Sequence, residues 1–236
     1  MKTTANHQNF WKCALLLCFA CLTAAAQNVQ FVPEIDAHVK LNSSVRAYLQ
    51  AKDDRDGGDS TQFAIGPSIQ FYLPAWIKLK HAKRFDLDDS KSRTLVFETG
   101  YRYLAAPDEP TENRWILAAT AHFPMHAGFL LSDRSRADLD WKAGAFTWRY
   151  RNKLTLEKSV ALHSYKFVPY IAAEPYYESQ YQKWSTTALY VGLLLPVGKR
   201  LEFNSYYEHE NNTGKTPNQQ EHLIGLALYL FFRQDK

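Results

Sequence analysis

The sequence predicts an all-β chain, an antiparallel up-and-down transmembrane β-barrel of about 12 strands (roughly 10–12). Three observations carry that expectation. Apolar and polar residues alternate with period two through most of the chain after residue 27. The last run, Leu223 to Phe232, is apolar on both faces and ends in aromatics close to the C-terminus. Aromatic residues reach 14%, with Tyr 14, Phe 14 and Trp 6, an excess that suits strands and membrane interfaces.

The N-terminus reads as an export signal. A polar stretch with Lys2 and Lys12 precedes the apolar run Cys13 to Thr23, and Ala24-Ala25-Ala26 offers a small-residue cleavage site before Gln27. That run is too short to cross a bilayer as a helix. The expected division is therefore a signal peptide over 1–26 and one barrel domain over 27–236. All three cysteines, Cys13, Cys18 and Cys21, fall inside the signal. The mature chain then has no disulfide, no thiolate metal site and no cysteine nucleophile.

Strands follow in order. Ile35, Ala37, Val39 and Leu41 alternate with Glu34, Asp36, His38 and Lys40. Val45, Ala47, Leu49 and Ala51 alternate with Arg46, Tyr48, Gln50 and Lys52. Leu95 to Tyr103 sets an apolar and aromatic face against Glu98 and Arg102. Trp115, Leu117, Ala119, Ala121 and Phe123 form the next face. Leu131, Ala137, Leu139 and Trp141 then oppose Arg134, Arg136, Asp138 and Asp140. Phe146, Trp148, Tyr150, Leu154 and Leu156 oppose Arg149, Arg151, Lys153 and Glu157. Phe167, Pro169, Ile171 and Ala173 oppose Tyr170, Glu174, Tyr176 and Glu178. Leu201, Phe203 and Tyr207 oppose Glu202, Asn204, Tyr206, Glu208 and Glu210. Successive side chains on a strand point to opposite faces, so each run has two faces of different chemistry.

Turn-forming residues separate the runs. The stretches 42–44, 124–128 and 196–199 are short. Those at 53–60, 107–112, 178–183 and 211–220 are longer and more polar. Alternation of tight and long connections is the asymmetry of outer-membrane barrels. Residues 74–91 break the pattern and have no assigned role, although parity places them with the short turns. A strand and its connection take about 17 residues, which fits about twelve strands. Eleven runs are visible by eye, and an even total is expected of a bacterial barrel. Residues 27–31 or part of 74–91 would supply the twelfth.

Soluble sandwiches alternate too. The aromatic C-terminal strand and the aromatics at run edges (Trp115, Phe123, Trp141, Trp148, Trp184, Tyr206 and Tyr207) favour interface girdles and a membrane barrel. A bundle of membrane helices is excluded by a mean hydropathy of -0.40. A net charge of only +4, spread along the chain, leaves no nucleic-acid footprint.

Several segments are long and specific: Glu34-Ile-Asp-Ala, Lys40-Leu-Asn-Ser-Ser-Val-Arg, Ser132-Asp-Arg-Ser-Arg, Trp148-Arg-Tyr-Arg-Asn-Lys-Leu, Ala173-Glu-Pro-Tyr-Tyr-Glu and Tyr207-Glu-His-Glu-Asn-Asn-Thr-Gly. They resemble the DUF2490 family of exported bacterial proteins, over nearly all of the mature chain. The resemblance implies a bacterial outer-membrane β-barrel and no assigned activity. Outer-membrane lipid and lipopolysaccharide would surround it. The C-terminal strand is similar to the signal that barrel-assembly machinery reads.

Two constellations are candidates for function. The first is the charged face: Arg134, Arg136, Asp138 and Asp140 beside Arg149, Arg151 and Lys153, with Glu174 and Glu178 on the other neighbour. Same-face residues of adjacent strands lie within pairing distance. They would either close the lumen with structural ion pairs or form a charged constriction that selects solutes. The second is Glu208-His209-Glu210-Asn211, similar to the His-x-Ser-Asn strand segment of outer-membrane phospholipases and lipid A deacylases. His209 shares the apolar, lipid-facing parity, as a base for that chemistry would. The nucleophile position, however, is Asn211, whose amide cannot be deprotonated to attack an ester. A non-enzymatic barrel is therefore expected, with a lipid-modifying hydrolase around His209 as the alternative. No metal site is expected, because the histidines lack ligand spacing and 53–60 lacks the calcium-loop spacing. Nor is any cofactor expected.

Overall fold

The computed structural model describes residues 29–73, 86–163, 165–214 and 216–233. The signal segment and residues 74–85 of the unassigned stretch lie outside it. The described residues form strands joined by turns and loops, with two short 3-10 turns among the connections. In order the strands are β1 Val29–Lys40, β2 Val45–Asp56, β3 Asp59–Tyr72, β4 Leu95–Ala105, β5 Glu112–Pro124, β6 Phe129–Lys142, β7 Ala145–Lys158, β8 Val160–Leu162, β9 Tyr165–Glu178, β10 Lys183–Val197, β11 Leu201–Asn212 and β12 Gln219–Arg233.

Eleven of the twelve strands form a closed barrel. Each pairs antiparallel with its sequence neighbour, β7 passing directly to β9, until β12 meets β1. The twelfth, β8, is a three-residue ribbon on β9 alone. Among the described residues neither expected segment adds a wall strand: residues 29–31 belong to β1 and the 3-10 turn occupies Asp89–Ser92, while 27–28 and 74–85 lie outside the described residues. With an odd number of wall strands the first and last must run the same way, and β1 pairs β12 in parallel from Val29↔His222 to Lys40↔Arg233. The sequence expectation of an even, wholly antiparallel wall differs at this one pair.

Connections alternate between two rims. The upper rim carries 57–58, 106–111, 143–144, 179–182 and, of the connection between β11 and β12, 213–214 and 216–218; the lower carries 41–44, 73 and 86–94, 125–128, 159–163 and 198–200. The expected polar loop over 53–60 is mostly strand. β2 and β3 keep pairing up to Asp56↔Asp59. Gly57 and Gly58, at φ 58 and 98, make the two-residue turn that matches strand twist. The described part of the longest connection, 73 and 86–94, is on the lower rim instead.

The distribution of chemistry is inverted relative to a water-soluble domain. Ile35, Leu49, Ile171, Leu189 and Val191 are half exposed on the outside, while Arg46, Arg102, Asp138, Glu174 and Glu202 are buried. Large apolar side chains displayed around a whole barrel belong in hydrocarbon, because water would penalise them. Two aromatic belts bound that surface. Near the upper rim Trp115, Trp141, Phe146, Trp148 and Trp184 are exposed, and Phe71, Phe97, Phe123, Phe203 and Phe232 are exposed near the lower. Upper-belt rings touch, with Trp141–Phe146 centroids at 5.0 Å and Trp148–Tyr177 at 5.4 Å. Such girdles mark the two membrane–water boundaries.

Tyr206 does not join them. It faces the lumen opposite Gly225. Its ring covers the glycine so closely that a Cβ there would lie 2.0 Å from it.

Candidate functional site: the charged lumen

All nine residues of the charged face lie inside the barrel, on β6, β7 and β9. Asp138 is fully buried at 0% exposure and stands among three guanidinium groups, Arg136 at 2.6 Å, Arg149 at 3.3 Å and Arg151 at 3.8 Å. Arg151 also pairs with Glu174 at 2.8 Å, and Lys153 reaches the same carboxylate at 3.9 Å. The ladder causes this: Asp138↔Arg149 are direct cross-strand partners on β6 and β7. Arg151↔Tyr176 on β7 and β9 set Glu174 one inward step away. Arg134 crosses β5 to pair with Glu98 of β4 at 3.1 Å, and Asp140 takes Arg114 of β5 at 2.6 Å. Glu178 accepts from Gln180 at 2.7 Å and Thr186 at 3.1 Å; it stands opposite Arg149 in the ladder.

Sequence reasoning missed how far this lattice extends. Tyr48 donates to Glu98 at 2.7 Å. Arg102 reaches the Tyr48 hydroxyl at 3.4 Å and Gln50 Oε1 at 2.8 Å, and Gln50 donates to Glu34 at 2.7 Å. Tyr190 donates to Glu174 at 2.9 Å, and Lys153 Nζ sits 3.4 Å from the centre of its ring. Polar groups thus line the wall from β1 round to β10. Parity signals which face these residues take, but carries no sign of partners two strands away. Buried charges stay charged only when paired and hydrogen-bonded, and this lattice supplies both.

Residues 86–92, unassigned from sequence, also turn inward, at the lower rim. Asp88 caps the 3-10 turn Asp89–Ser92 by accepting from the Ser90 amide at 2.9 Å and binds Arg46 of β2 at 2.6 Å. Asp89 pairs with Lys40 of β1. Lys91 bonds Glu157 of β7 at 2.7 Å, and the Leu87 amide donates to Glu202 of β11 at 2.8 Å. The neighbouring strands β1 and β2, with β11 two strands from β1 and β7 farther round the wall, therefore hold one short segment across the mouth. Burial pushes the Asp88 carboxyl up, but Arg46 and then Lys91 outweigh it and hold the group well below the usual carboxylate range.

Among the described residues, cavities lie on both sides of this lattice. One of about 330 Å³ lies above segment 86–92, lined by groups including Glu34, Asp36, His38 and Glu202. Another, about 480 Å³, opens at the upper rim around Arg114, Asp140, Arg149 and Glu178. The Arg136–Asp138–Arg151–Glu174 pairs stand between them.

The second constellation lies on the outer face. His209 packs its ring on His222 of β12 at 4.9 Å, and His222 Nδ1 contacts the Tyr207 hydroxyl at 2.6 Å. His209 Nδ1 and Asn211 Oδ1 have no hydrogen-bond partner. Glu208 points the other way and is buried in the lumen, so the run does not bring carboxylate and imidazole to one side. A polar group elsewhere also interrupts the outer face. Asn152 donates to Asp133 at 2.7 Å and to Ser135 at 3.2 Å, and Tyr150 donates to Ser135 at 3.1 Å. Among the described residues no group of three or more His, Cys, Asp or Glu side chains is placed to hold a metal ion.

An apolar belt between two aromatic rims, a closed sheet and an ion-paired interior together define a transmembrane β-barrel. The chain matches the family described as "Protein of unknown function (DUF2490)" over residues 34–221, and it belongs to that family. No curated protein matches it. Among solved structures it is similar to a "Bacterial polysaccharide outer membrane secretin", with a TM-score of 0.51 at 7% identity, covering 82% of this chain and 67% of that one. That likeness concerns the fold alone.

Proposed function

We propose that the protein is exported to the bacterial outer membrane and works there as a non-enzymatic barrel. Its narrow, charged lumen is a solute path kept shut at rest. The observation that carries this reading is the filling of the lumen: the Asp138 and Glu174 ion pairs across the middle and segment 86–92 across the lower mouth. The barrel fold, the aromatic belts and the outer-membrane neighbour support the location. Lipid and lipopolysaccharide would meet the apolar belt. The C-terminal strand β12, which closes the wall, would be what the assembly machinery recognises.

Fractionation with boiled and unboiled gel samples tests the location, and recovery from the soluble periplasm would overturn it. Planar-bilayer recording tests the lumen. Wild type is expected to conduct poorly. Glu174→Ala, which frees Arg151 and Lys153, is expected to raise conductance several-fold or lower heat stability. Large, steady wild-type channels would refute a closed lumen. The unpartnered Nδ1 of His209 on the lipid-facing side keeps a lipid hydrolase as the second reading. Release of fatty acid from phospholipid or lipid A by pure protein, abolished in His209→Ala, would establish it.

A further inference from the structure

The ion pairs leave one part of the lumen uncompensated. In the cavity above segment 86–92, Asp36 and His38 project from β1, both buried at 6% and 8% exposure. Asp36 Oδ1 and His38 Nδ1 have no hydrogen-bond partner, and both residues line the cavity. The second Asp36 oxygen has a long contact, 3.4 Å, with Gln50 Nε2, an amide already given to Glu34 at 2.7 Å, and the Glu34 carboxyl itself stands within hydrogen-bond reach of Asp36. Cations near this corner are engaged elsewhere. Arg46 holds Asp88 and Gln70. Arg134 holds Glu98, and Arg102 donates to Gln50, Ser68 and the Pro67 and Tyr101 carbonyls. The His38 ring is fixed by stacking on Phe231 at 4.9 Å with planes 10° apart, and lies 4.9 Å from Tyr48.

Buried polar atoms are nearly always satisfied, and exceptions call for a cause. Here two sit together: a carboxylate oxygen that needs a donor, beside a second carboxylate, and an imidazole nitrogen that takes a hydroxyl in either tautomer. At about 330 Å³ the space is at the small end of ligand sites. We propose that this cavity binds a small hydroxylated amine, of the size of one amino sugar, with its ammonium between Asp36 and Glu34 and a hydroxyl on His38. The inference rests on the closed-lumen reading, because an open water-filled pore would hydrate these groups.

Calorimetric titration of the full-length protein in detergent tests it, with glucosamine, glucose and N-acetylglucosamine as probes. Glucosamine is expected to bind at least tenfold more tightly than either uncharged sugar. Asp36→Asn, which keeps the shape, should weaken glucosamine at least tenfold and leave the weak sugars unchanged. Glu34→Gln serves the same purpose should the first variant fail the heat-modifiability check for folding. Equal binding of glucose and glucosamine would overturn the cation assignment. Absence of glucosamine binding in a poorly conducting wild type would overturn the site and leave the closed lumen standing. Large channels in the bilayer would remove the closed lumen itself.

Discussion

Asp138→Ala is expected to cost about 3–5 kcal/mol, the range for breaking a buried ion pair by removing one partner. The carboxylate is fully buried, and its removal leaves Arg136, Arg149 and Arg151 facing one another where they had converged on it. For a chain of this length such a loss corresponds to a fall of about 10 °C in the unfolding transition. Conductance should rise with it, since mutual repulsion parts the guanidinium groups that separate the two cavities. Adding Arg136→Ala should recover part of the stability, because fewer like charges then remain. The measurement is the temperature at which the compact gel form is lost, beside bilayer recording. A single variant within 1 kcal/mol of wild type would show that the lattice does not hold the wall.

Arg46→Ala is expected to have the second largest effect, and a local one. Arg46 is 3% exposed and joins Asp88 at 2.6 Å to Gln70 at 2.6 Å. Without it, Asp88 is left at the mouth with Lys91 as its remaining cation, and the hold of β2 on segment 86–92 is lost. Trypsin should then cut after Lys91 or Arg93 many times faster than in wild type, and conductance should rise several-fold. Acid should reproduce part of this in the unaltered protein. A carboxyl held below its free value stabilises the docked form fully above about pH 4, where the released carboxyl is ionised. That contribution shrinks as pH falls below 4 towards the depressed value. Protection of segment 86–92 that is unchanged between pH 7 and pH 3 would count against the Arg46–Asp88 pair as its anchor.

The two faces of each strand were legible because period two is a local property. Reading Trp148 and Tyr150 as lipid-facing puts Arg149 and Arg151 inside, and a slip by one residue would reverse every side chain. Tyr206 stands at a run edge, as a girdle residue would, but the parity it shares with Glu202, Asn204 and Glu208 already turns it inward, where its ring covers the bare backbone of Gly225. Three things were not legible. The hairpin at Gly57-Gly58 was hidden by a run of aspartates whose polarity resembles a loop, although two glycines suffice to turn the chain. The inward fold of residues 86–92 rests on pairs with Lys40, Arg46, Glu157 and Glu202, the nearest of them, Arg46 to Asp88, 42 residues away. No periodicity within the segment encodes them. The lipid-facing trio of Asp133, Ser135 and Asn152 runs against the apolar parity of its own strands, and the structure gives it no partner beyond Tyr150 and itself.

The odd strand count singles out β1. Its parallel border with β12 has slanted hydrogen bonds, slightly less stable per residue than antiparallel ones, and no hairpin can link two strands that run the same way. On its other side the ladder to β2 passes from Phe31↔Arg55 to Glu34↔Lys52 without a pair at Val32 or Pro33, where proline has no amide hydrogen to give. β1 thus carries the parallel border of the wall on one edge and an interrupted ladder on the other. A barrel that must admit its last strand during insertion, or part sideways into the bilayer afterwards, has its seam where β12 meets β1, and amide exchange along that line reads whether it opens there.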